Sequence, residues 1–360
     1  MASAAEPAAW QVLHEEWDNI RAAFDHAHAT SDKEVVADIT AGLGWFSPMS
    51  FRTEAGDWAR LAIQSGLLVG HPAETAVRGT WALTLFHLSG GQAFAGIDEA
   101  LGDLARADPA ADRWAAWLTT EFLLRQARGD RERVDDVTRR WLHAEGLSPV
   151  AASHAVSVRA FAAAVFGLDD DPVTLAARGT ELADATGSPS LRAWAAQSQG
   201  IVAVLLGDYR GGVDYFRRAQ TLIAAIPFEA FAAAANETWL AIAAVLDDDL
   251  DTAVKMSRNI LQRILDRRMN AAVVGGLRIA ALALARSGDA ETAATLLGAA
   301  DATGHRGRHM QPVIDRATQL VSEALGEGAQ TFAEQGRSLA PVTAATRALE
   351  ALDAVLAQRL

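Results

Sequence analysis

Apolar residues recur at helical spacing along almost the whole chain, and no segment reads convincingly as a strand. One apolar face includes Leu191, Trp194 and Leu205, and a second runs from Phe228 to Leu246. Pro is sparse, with 10 residues in 360, so few positions interrupt this pattern. The pattern predicts an all-α protein.

A short Gly/Asp mark interrupts the helical pattern at regular intervals. Successive marks are 34, 39, 40, 38, 41 and 40 residues apart, since they begin at Gly56, Gly90, Gly129, Asp169, Gly207, Asp248 and Gly288. A glycine ends a helix in the left-handed conformation without a Cβ penalty, and the Asp that follows caps the next helix. A period near 40 residues holds two helices and two turns, which is typical of a helical-pair solenoid.

The spacing therefore predicts an α-solenoid of about seven to eight helical hairpins. We expect one continuous domain over residues 1–360, with C-terminal capping helices over residues 305–360. A closed helical bundle or a toroid of paired helices would give the same local pattern, so both alternatives stay open.

Composition narrows the classes of function. The net charge of −13 argues against direct nucleic-acid binding, which needs clustered Lys and Arg. The chain has no Cys, its N-terminal stretch lacks the features of a secretory signal, and its most apolar runs are too short to cross a bilayer. We therefore expect a cytoplasmic protein without a membrane span, and we expect no cofactor or bound metal.

A groove along the first helices of successive pairs is the candidate binding site. Several tryptophans fall on these helices, and polar residues alternate with them. In a solenoid the first helices line the concave surface, and a groove of aromatic and Arg side chains suits capture of a peptide or a small molecule. The candidate residues are Arg78, Trp81, Trp114, Trp117, Arg125, His154, Arg159, Trp194, Gln197, Asn236 and Trp239.

Two further motifs have a catalytic or metal-binding alternative. Asp247, Asp248 and Asp251 have the D-D-x-x-D spacing that holds Mg²⁺ on a diphosphate in all-helical enzymes, but the run also coincides with a repeat turn, where Asp caps a helix. His305 and His309 are four residues apart, which is a possible metal-ligand spacing. Neighbouring glycines favour a solvated loop there instead.

Both ends of the chain resemble a known domain. Trp10–Phe24 (WQVLHEEWDNIRAAF), Ala293–Ala302 (AATLLGAADA) and Leu325–Leu339 (LGEGAQTFAEQGRSL) resemble helices in the solenoid of large actinobacterial signalling ATPases. These include antibiotic-pathway regulators, LuxR-type transcription factors and adenylate-cyclase-linked regulators. The resemblance implies a right-handed, tetratricopeptide-like sensor or scaffold domain.

The chain departs from that family in one respect. It has no P-loop (G-x-x-x-x-G-K-[ST]), cyclase domain or convincing DNA-reading helix, so the resemblance implies the sensor portion alone, as a fragment or as a stand-alone relative. We expect a non-catalytic domain that binds a small effector, or the NTPase or effector part of a regulator. The alternatives are a pure protein–protein scaffold and, in another class, an Mg²⁺-dependent diphosphate enzyme.

Overall fold

The computed structural model describes residues 3–44, 50, 52–89, 94–102, 115–226, 230–266, 270–304 and 307–358. These residues form α-helices joined by short turns, without a strand, so the all-α prediction is confirmed. The helices of the first half are α1 (Glu6–Glu15), α2 (Trp17–Ala29), α3 (Lys33–Gly42), α4 (Glu54–Gln64), α5 (Glu74–Ser89), α6 (Phe94–Leu101), α7 (Ala115–Arg128), α8 (Arg131–Leu142), α9 (Pro149–Phe166) and α10 (Pro172–Thr186).

The second half continues the series and adds two short 3₁₀ helices, Arg308–Met310 and Gly326–Gly328. Its α-helices are α11 (Pro189–Leu205), α12 (Tyr209–Ile223), α13 (Ala230–Leu246), α14 (Leu250–Asp266), α15 (Asn270–Arg286), α16 (Ala290–Asp301), α17 (Gln311–Leu325), α18 (Ala329–Arg337) and α19 (Pro341–Ala357).

The Gly/Asp marks form the expected helix-to-helix turns at several positions. Gly207 takes a left-handed backbone with φ of 90°, and the carboxylate of Asp208 accepts from the Gly211 amide at 2.9 Å. Gly288 and Asp289 repeat this arrangement before α16, with φ of 92° and an amide-to-carboxylate distance of 3.1 Å at Thr292. The glycine ends one helix and the aspartate supplies an acceptor to the next, as predicted.

One Gly/Asp mark, at Gly56, was wrongly predicted to be a turn between helices. Gly56 lies inside α4, where a Cβ atom would overlap the side chain of Thr84 on α5. This glycine therefore permits a close approach of two helices and does not end a helix. The mark at Gly90 lies outside the described residues. At Asp248 the aspartate itself adopts the left-handed conformation, with φ of 63°.

Neighbouring helices pack in pairs, and the pairs contact one another through their first helices. Along the series α9, α11, α13 and α15, each helix but the last contacts the one after it, and α5 contacts α7 in the same way. The second helices α8, α10, α12, α14 and α16 pack against these first helices. The first helices thus form an inner layer. Within it α5 also contacts α15, so helices distant in sequence meet.

The helix α15 is the most deeply buried part of the inner layer. Every residue from Leu277 to Leu284 is buried, and the helix contacts α5, α13, α14, α16, α17 and α19. Apart from Arg278, which is itself buried, this stretch is apolar on all sides, and such a helix requires enclosure. Two large clusters make up most of the apolar core, one mainly in each half of the chain, and Phe161 of α9 packs against both.

Within the described part of the chain, α9 is the one helix long and apolar enough to cross a membrane, a feature that the sequence analysis overlooked. Buried residues make up 67% of it, as is usual for a core helix. It also carries the buried polar side chains of His154 and Arg159. Near the C-terminus, α18 packs on α16, and α19 packs on α14, α15 and α16.

Candidate functional site

The predicted groove residues that the structure describes lie on first helices of the pairs. Arg78 and Trp81 lie on α5, Arg125 on α7, His154 and Arg159 on α9, Trp194 and Gln197 on α11, and Asn236 and Trp239 on α13. Trp114 lies outside the described residues, and so does the side chain of Trp117.

His154 and Trp194 come together in a cluster of tilted aromatic rings around the buried imidazole. The His154 ring lies 4.8 Å from the Trp194 ring and 5.1 Å from the ring of Trp141 on α8. Its Nε2 is 3.2 Å from the hydroxyl of Thr119 on α7. Burial disfavours the charged imidazolium and lowers the pKa of His154 to about 3. This imidazole is therefore neutral and joins three helix pairs.

Arg159 connects α8, α9 and the turn after α9. Its guanidinium donates to the Asp135 carboxylate at 2.7 Å and through Nε to Asp170 at 2.9 Å. A further bond reaches the Thr138 hydroxyl at 2.9 Å. The side chain is only 4% exposed, so its donors are used within the fold.

The predicted amide residues hold neighbouring helices. The Gln197 side chain donates to the Ala232 carbonyl at 2.9 Å, and that of Asn236 donates to the Phe216 carbonyl at 3.0 Å. Each bond joins a first helix to a different helix and gives a buried side-chain N–H group an acceptor.

The remaining predicted residues are more superficial or apolar. Arg78 and Arg125 form salt bridges along their own helices, at 3.0 Å to Glu74 and 2.7 Å to Glu121. Trp81 is buried in the core of the first half of the chain. Arg78 and Arg125 thus pair within their own helices, and Trp81 contributes to the apolar core.

A cluster around His309 lies on the inner layer. The His309 ring is 5.7 Å from the ring of Trp239 and 6.1 Å from that of Phe161, and its Nδ1 hydrogen bonds with the side-chain amide of Gln126. We call Gln126, Phe161 and Trp239 the His309 cage. The cage takes one residue from each of three first helices, α7, α9 and α13.

The segment Gly307–Met310 carries His309 onto this surface. Met310 is buried in the core, and the Arg308 guanidinium lies 5.7 Å from the centre of the Phe166 ring. The expectation of a solvated loop was therefore wrong for His309, because an aromatic surface on distant helices was not visible from the local sequence. His305, the other member of the proposed pair, lies outside the described residues.

A second concave region lies on the outer side of the pairs, between α12 and α14 with α13 as its floor. Its volume is about 680 Å³, within the range of small-ligand sites. We call this region the outer groove. It is lined by Arg210, Val213, Asp214, Arg217, Gln220, Glu237, Leu240, Ala244, Asp247, Asp249, Thr252, Met256, Asn259, Ile260 and Arg263.

Two ion pairs mark the ends of the outer groove. Arg263 of α14 pairs with Glu237 in the middle of α13, and each side chain is 29% exposed. Arg210 of α12 is 3.3 Å from Asp247, just after the end of α13. The sequence analysis missed this site. The sequence pattern that could have revealed it is the helical spacing of Glu237, Leu240, Ala244 and Asp247, which places them on one face of α13.

The first two carboxylates of the D-D-x-x-D motif and that of Asp249, which lies within it, have different partners. Asp247 pairs with Arg210, Asp248 pairs with Arg286, and Asp249 caps α14 by accepting from the Thr252 amide at 3.2 Å. In the part of the chain that the structure describes, no three His, Asp or Glu side chains are grouped as metal ligands.

Comparison with known proteins gives no matching family model and no similar curated protein. The resemblance to the solenoid of signalling ATPases therefore stays a prediction, and function has to be argued from the geometry of this chain.

Proposed function

We propose that this chain is a non-catalytic sensor or scaffold domain of a bacterial transcriptional or signalling regulator. It is a cytoplasmic, right-handed α-solenoid of tetratricopeptide-like hairpins, and it binds an effector on its inner layer. The paired helices, the contacts between successive first helices and the motifs at both ends support this proposal. A helical array of this kind presents its first helices to a ligand.

The His309 cage is the observation that carries the proposal. Three helix pairs contribute to one surface that already holds a planar ring and hydrogen bonds to its nitrogen. An effector with a planar, nitrogen-containing ring would make the same contacts. It would displace His309 and change the relative positions of α7, α9 and α13, which is a population shift between two states of the array.

A thermal-shift screen tests this function. The panel contains nucleotides, cyclic nucleotides, sugars, amino acids and a diphosphate with Mg²⁺. A ligand at a hundred times its dissociation constant adds about 2.7 kcal/mol to the free energy of unfolding. We expect a hit among the ring-containing compounds. A hit only with diphosphate and Mg²⁺ would contradict the proposal and favour an enzyme.

The variant His309→Ala makes the screen specific to the cage. It vacates the space of the ring, so free imidazole at millimolar concentration should stabilise this variant and not the wild-type chain. The matched control is His26→Gln, which removes an exposed imidazole from α2. If no compound stabilises either protein, the chain is a scaffold that binds another protein domain and no small effector.

A further inference from the structure

The outer groove has a counterpart one repeat later in the array. Its own walls are α12 and α14, and its floor is α13. One repeat on, α14 and α16 are the walls and α15 is the floor, and α19 packs on all three. We call this second region the α19 groove. Because stacked repeats present similar surfaces at regular intervals, the helix in one groove indicates what fits the other.

The helix caps give the register between the two grooves. Asp208 caps α12, and Asp249 caps α14. Nine positions after each cap lie Arg217 in α12 and Arg258 in α14. Arg217 lines the outer groove, and Arg258 pairs with Asp353 of α19 at 2.9 Å. The arginine that holds α19 therefore has a direct counterpart in the outer groove.

Apolar positions that are buried in the α19 groove are partly exposed in the outer groove. Val254 and Leu296 are buried in the same apolar cluster as Leu352 of α19. Their counterparts by the same count from the caps, Val213 and Met256, line the outer groove and are half-buried. A helix that covered them would remove this apolar surface from water, which favours association.

The helix α19 shows which sequence pattern suits such a groove. Its buried residues are mostly small: Ala344, Ala345, Ala348 and Leu352. Small residues let a helix lie close to its neighbours. Arg347 and Glu350 are exposed, so α19 is amphipathic and carries both signs of charge on its outer face. Amphipathic helices dock in grooves through such an apolar face.

The lining of the outer groove suits a helix that binds reversibly. Three ion pairs line it: Arg210 with Asp247, Arg217 with Asp214, and Arg263 with Glu237. In the α19 groove the counterpart of Glu237 is the buried Leu277. Partners that associate and separate have more polar interfaces than permanent ones.

The resident partner of Arg217 does not prevent a new contact. Arg217 and Asp214 are 3.5 Å apart, and their side chains are 72% and 80% exposed. An exposed pair of this kind contributes little net stability, so Arg217 can turn to a carboxylate on a docked helix.

A second copy of the chain cannot supply α19 without a loss of its own stability. In each copy α19 is docked on α14, α15 and α16, and Leu352 belongs to the core. To donate α19, the chain would have to expose this part of its core to water. The occupant is therefore a helix of a different protein.

We propose that the outer groove binds an amphipathic helix of a partner protein, in the way that α19 is bound one repeat later. The helix packs a face of small and aliphatic residues on Val213, Leu240 and Met256. One of its carboxylates accepts from Arg217, as Asp353 accepts from Arg258. This surface goes beyond the proposed effector site, because the outer groove shares no residue with the His309 cage.

A peptide with the α19 sequence, residues 341–358, tests the proposal on the full chain. Fluorescence anisotropy of a fluorescein at the N-terminus of the peptide reports binding. We expect saturable binding and a loss of at least about tenfold when the peptide carries Leu352→Asp, because a carboxylate then replaces a buried leucine. No binding at millimolar peptide, or equal affinity of the two peptides, would overturn the proposal.

Leu240→Gln in the chain tests the floor of the groove. Leu240 is half-buried, and the substitution should weaken binding of the peptide about tenfold. The matched control is Leu61→Gln on α4, since Leu61 is 41% exposed and does not line the groove. Circular dichroism checks that both variants fold. Wild-type affinity in Leu240→Gln would place the peptide elsewhere, including the α19 groove after exchange, and the proposal would be wrong.

A charge exchange tests the arginine contact. Arg217→Glu should weaken binding of the wild-type peptide, and a peptide with Asp353→Arg should recover the affinity. The matched control is Arg218→Glu, because Arg218 is exposed on the same helix and does not line the groove. If the exchanged pair does not recover the affinity, the helix is not bound as α19 is, and the proposal fails.

Two further measurements separate this proposal from its alternatives. His309→Ala should leave the affinity for the peptide unchanged; if it abolishes binding and Leu240→Gln does not, the peptide binds at the cage. If the effector screen fails while peptide binding depends on Leu240 as expected, the outer groove stands on its own. Light scattering of the chain alone should give a monomer. A dimer that Leu240→Gln dissociates would mean that a second copy occupies the groove, against the proposal.

Discussion

Gly298 of α16 and Gly336 of α18 face each other's helices at a crossing where the backbones are in contact. A Cβ atom at Gly298 would overlap the carbonyl group of Ala333, and one at Gly336 would overlap the carbonyl group of Thr295. Both glycines belong to the motifs that resemble the signalling ATPases. Their physical role is thus to let two helices approach more closely than any side chain would permit.

Gly298→Ala should destabilise the chain by about 3 kcal/mol, because the methyl group meets rigid backbone and the helices have to separate. Gly275→Ala is the matched control, since nothing lies within 4 Å of a Cβ added at that helical position. Urea denaturation measures both variants. Equal stability of Gly298→Ala and the wild-type chain would show that the helices do not cross this closely.

Gly288→Ala should lower the free energy of unfolding by about 1 kcal/mol for a different reason. Space is available there, but φ is 92°, and an L-residue pays a steric cost in that region. Gly275→Ala, which replaces glycine inside α15, should instead raise stability by about 0.5 kcal/mol. Thermal unfolding of the two variants should therefore shift in opposite directions, and shifts of the same sign would contradict the assigned backbone conformations.

Local turn chemistry explains which parts of the fold were predictable. Gly207 with Asp208, and Gly288 with Asp289, act through backbone angles and hydrogen bonds within three residues, so sequence spacing reveals them. Gly56 has the same neighbour but packs against another helix. A glycine that ends a helix and one that permits helix packing look alike in sequence.

The candidate sites depend on contacts between distant segments, which spacing does not give. Gln126 and His309 are 183 positions apart and meet only because the Gly307–Met310 segment folds back onto the inner layer. The predicted residues His154 and Trp194 do meet, but as tilted rings packed between helices, with His154 buried. To predict the outer groove, the relative register of α12 and α14 would have to be known, and the periodic pattern of neither helix gives it.

Arg159→Met should destabilise the chain by about 3 kcal/mol, because it removes a buried cation and leaves the carboxylates of Asp135 and Asp170 without it. Arg178→Met is the control on a neighbouring helix. Arg178 pairs with Glu181 at 2.7 Å, but both side chains are largely exposed, and the loss should be about 0.5 kcal/mol. Guanidinium denaturation at neutral pH separates these values, and equal losses would show that burial of Arg159 does not strengthen its pairs.

Two histidines, the buried His154 and the half-buried His87, make stability depend on pH in a defined window. Burial lowers the pKa of His87 to about 4 and that of His154 to about 3, from an ordinary value of 6.5. Between the ordinary and the lowered pKa, the unfolded chain binds protons that the folded chain does not bind. Stability therefore rises with pH in this range and is lost as the pH falls below about 6.5.

At pH 5 each of these histidines should cost about 2 kcal/mol relative to pH 7.5, a range in which most carboxylates are still charged. His154→Gln should remove the contribution of one histidine from the loss of stability between pH 7.5 and pH 5. It should also lower stability at every pH, because the ring packs against Trp141 and Trp194. His26→Gln, at an exposed position, should keep the slope of the wild-type chain. Urea unfolding at half-unit steps between pH 5 and 7.5 measures the slopes. A steeper loss of stability towards low pH in His154→Gln than in the wild-type chain would mean that this imidazole is charged in the fold and donates a hydrogen bond to the Thr119 hydroxyl.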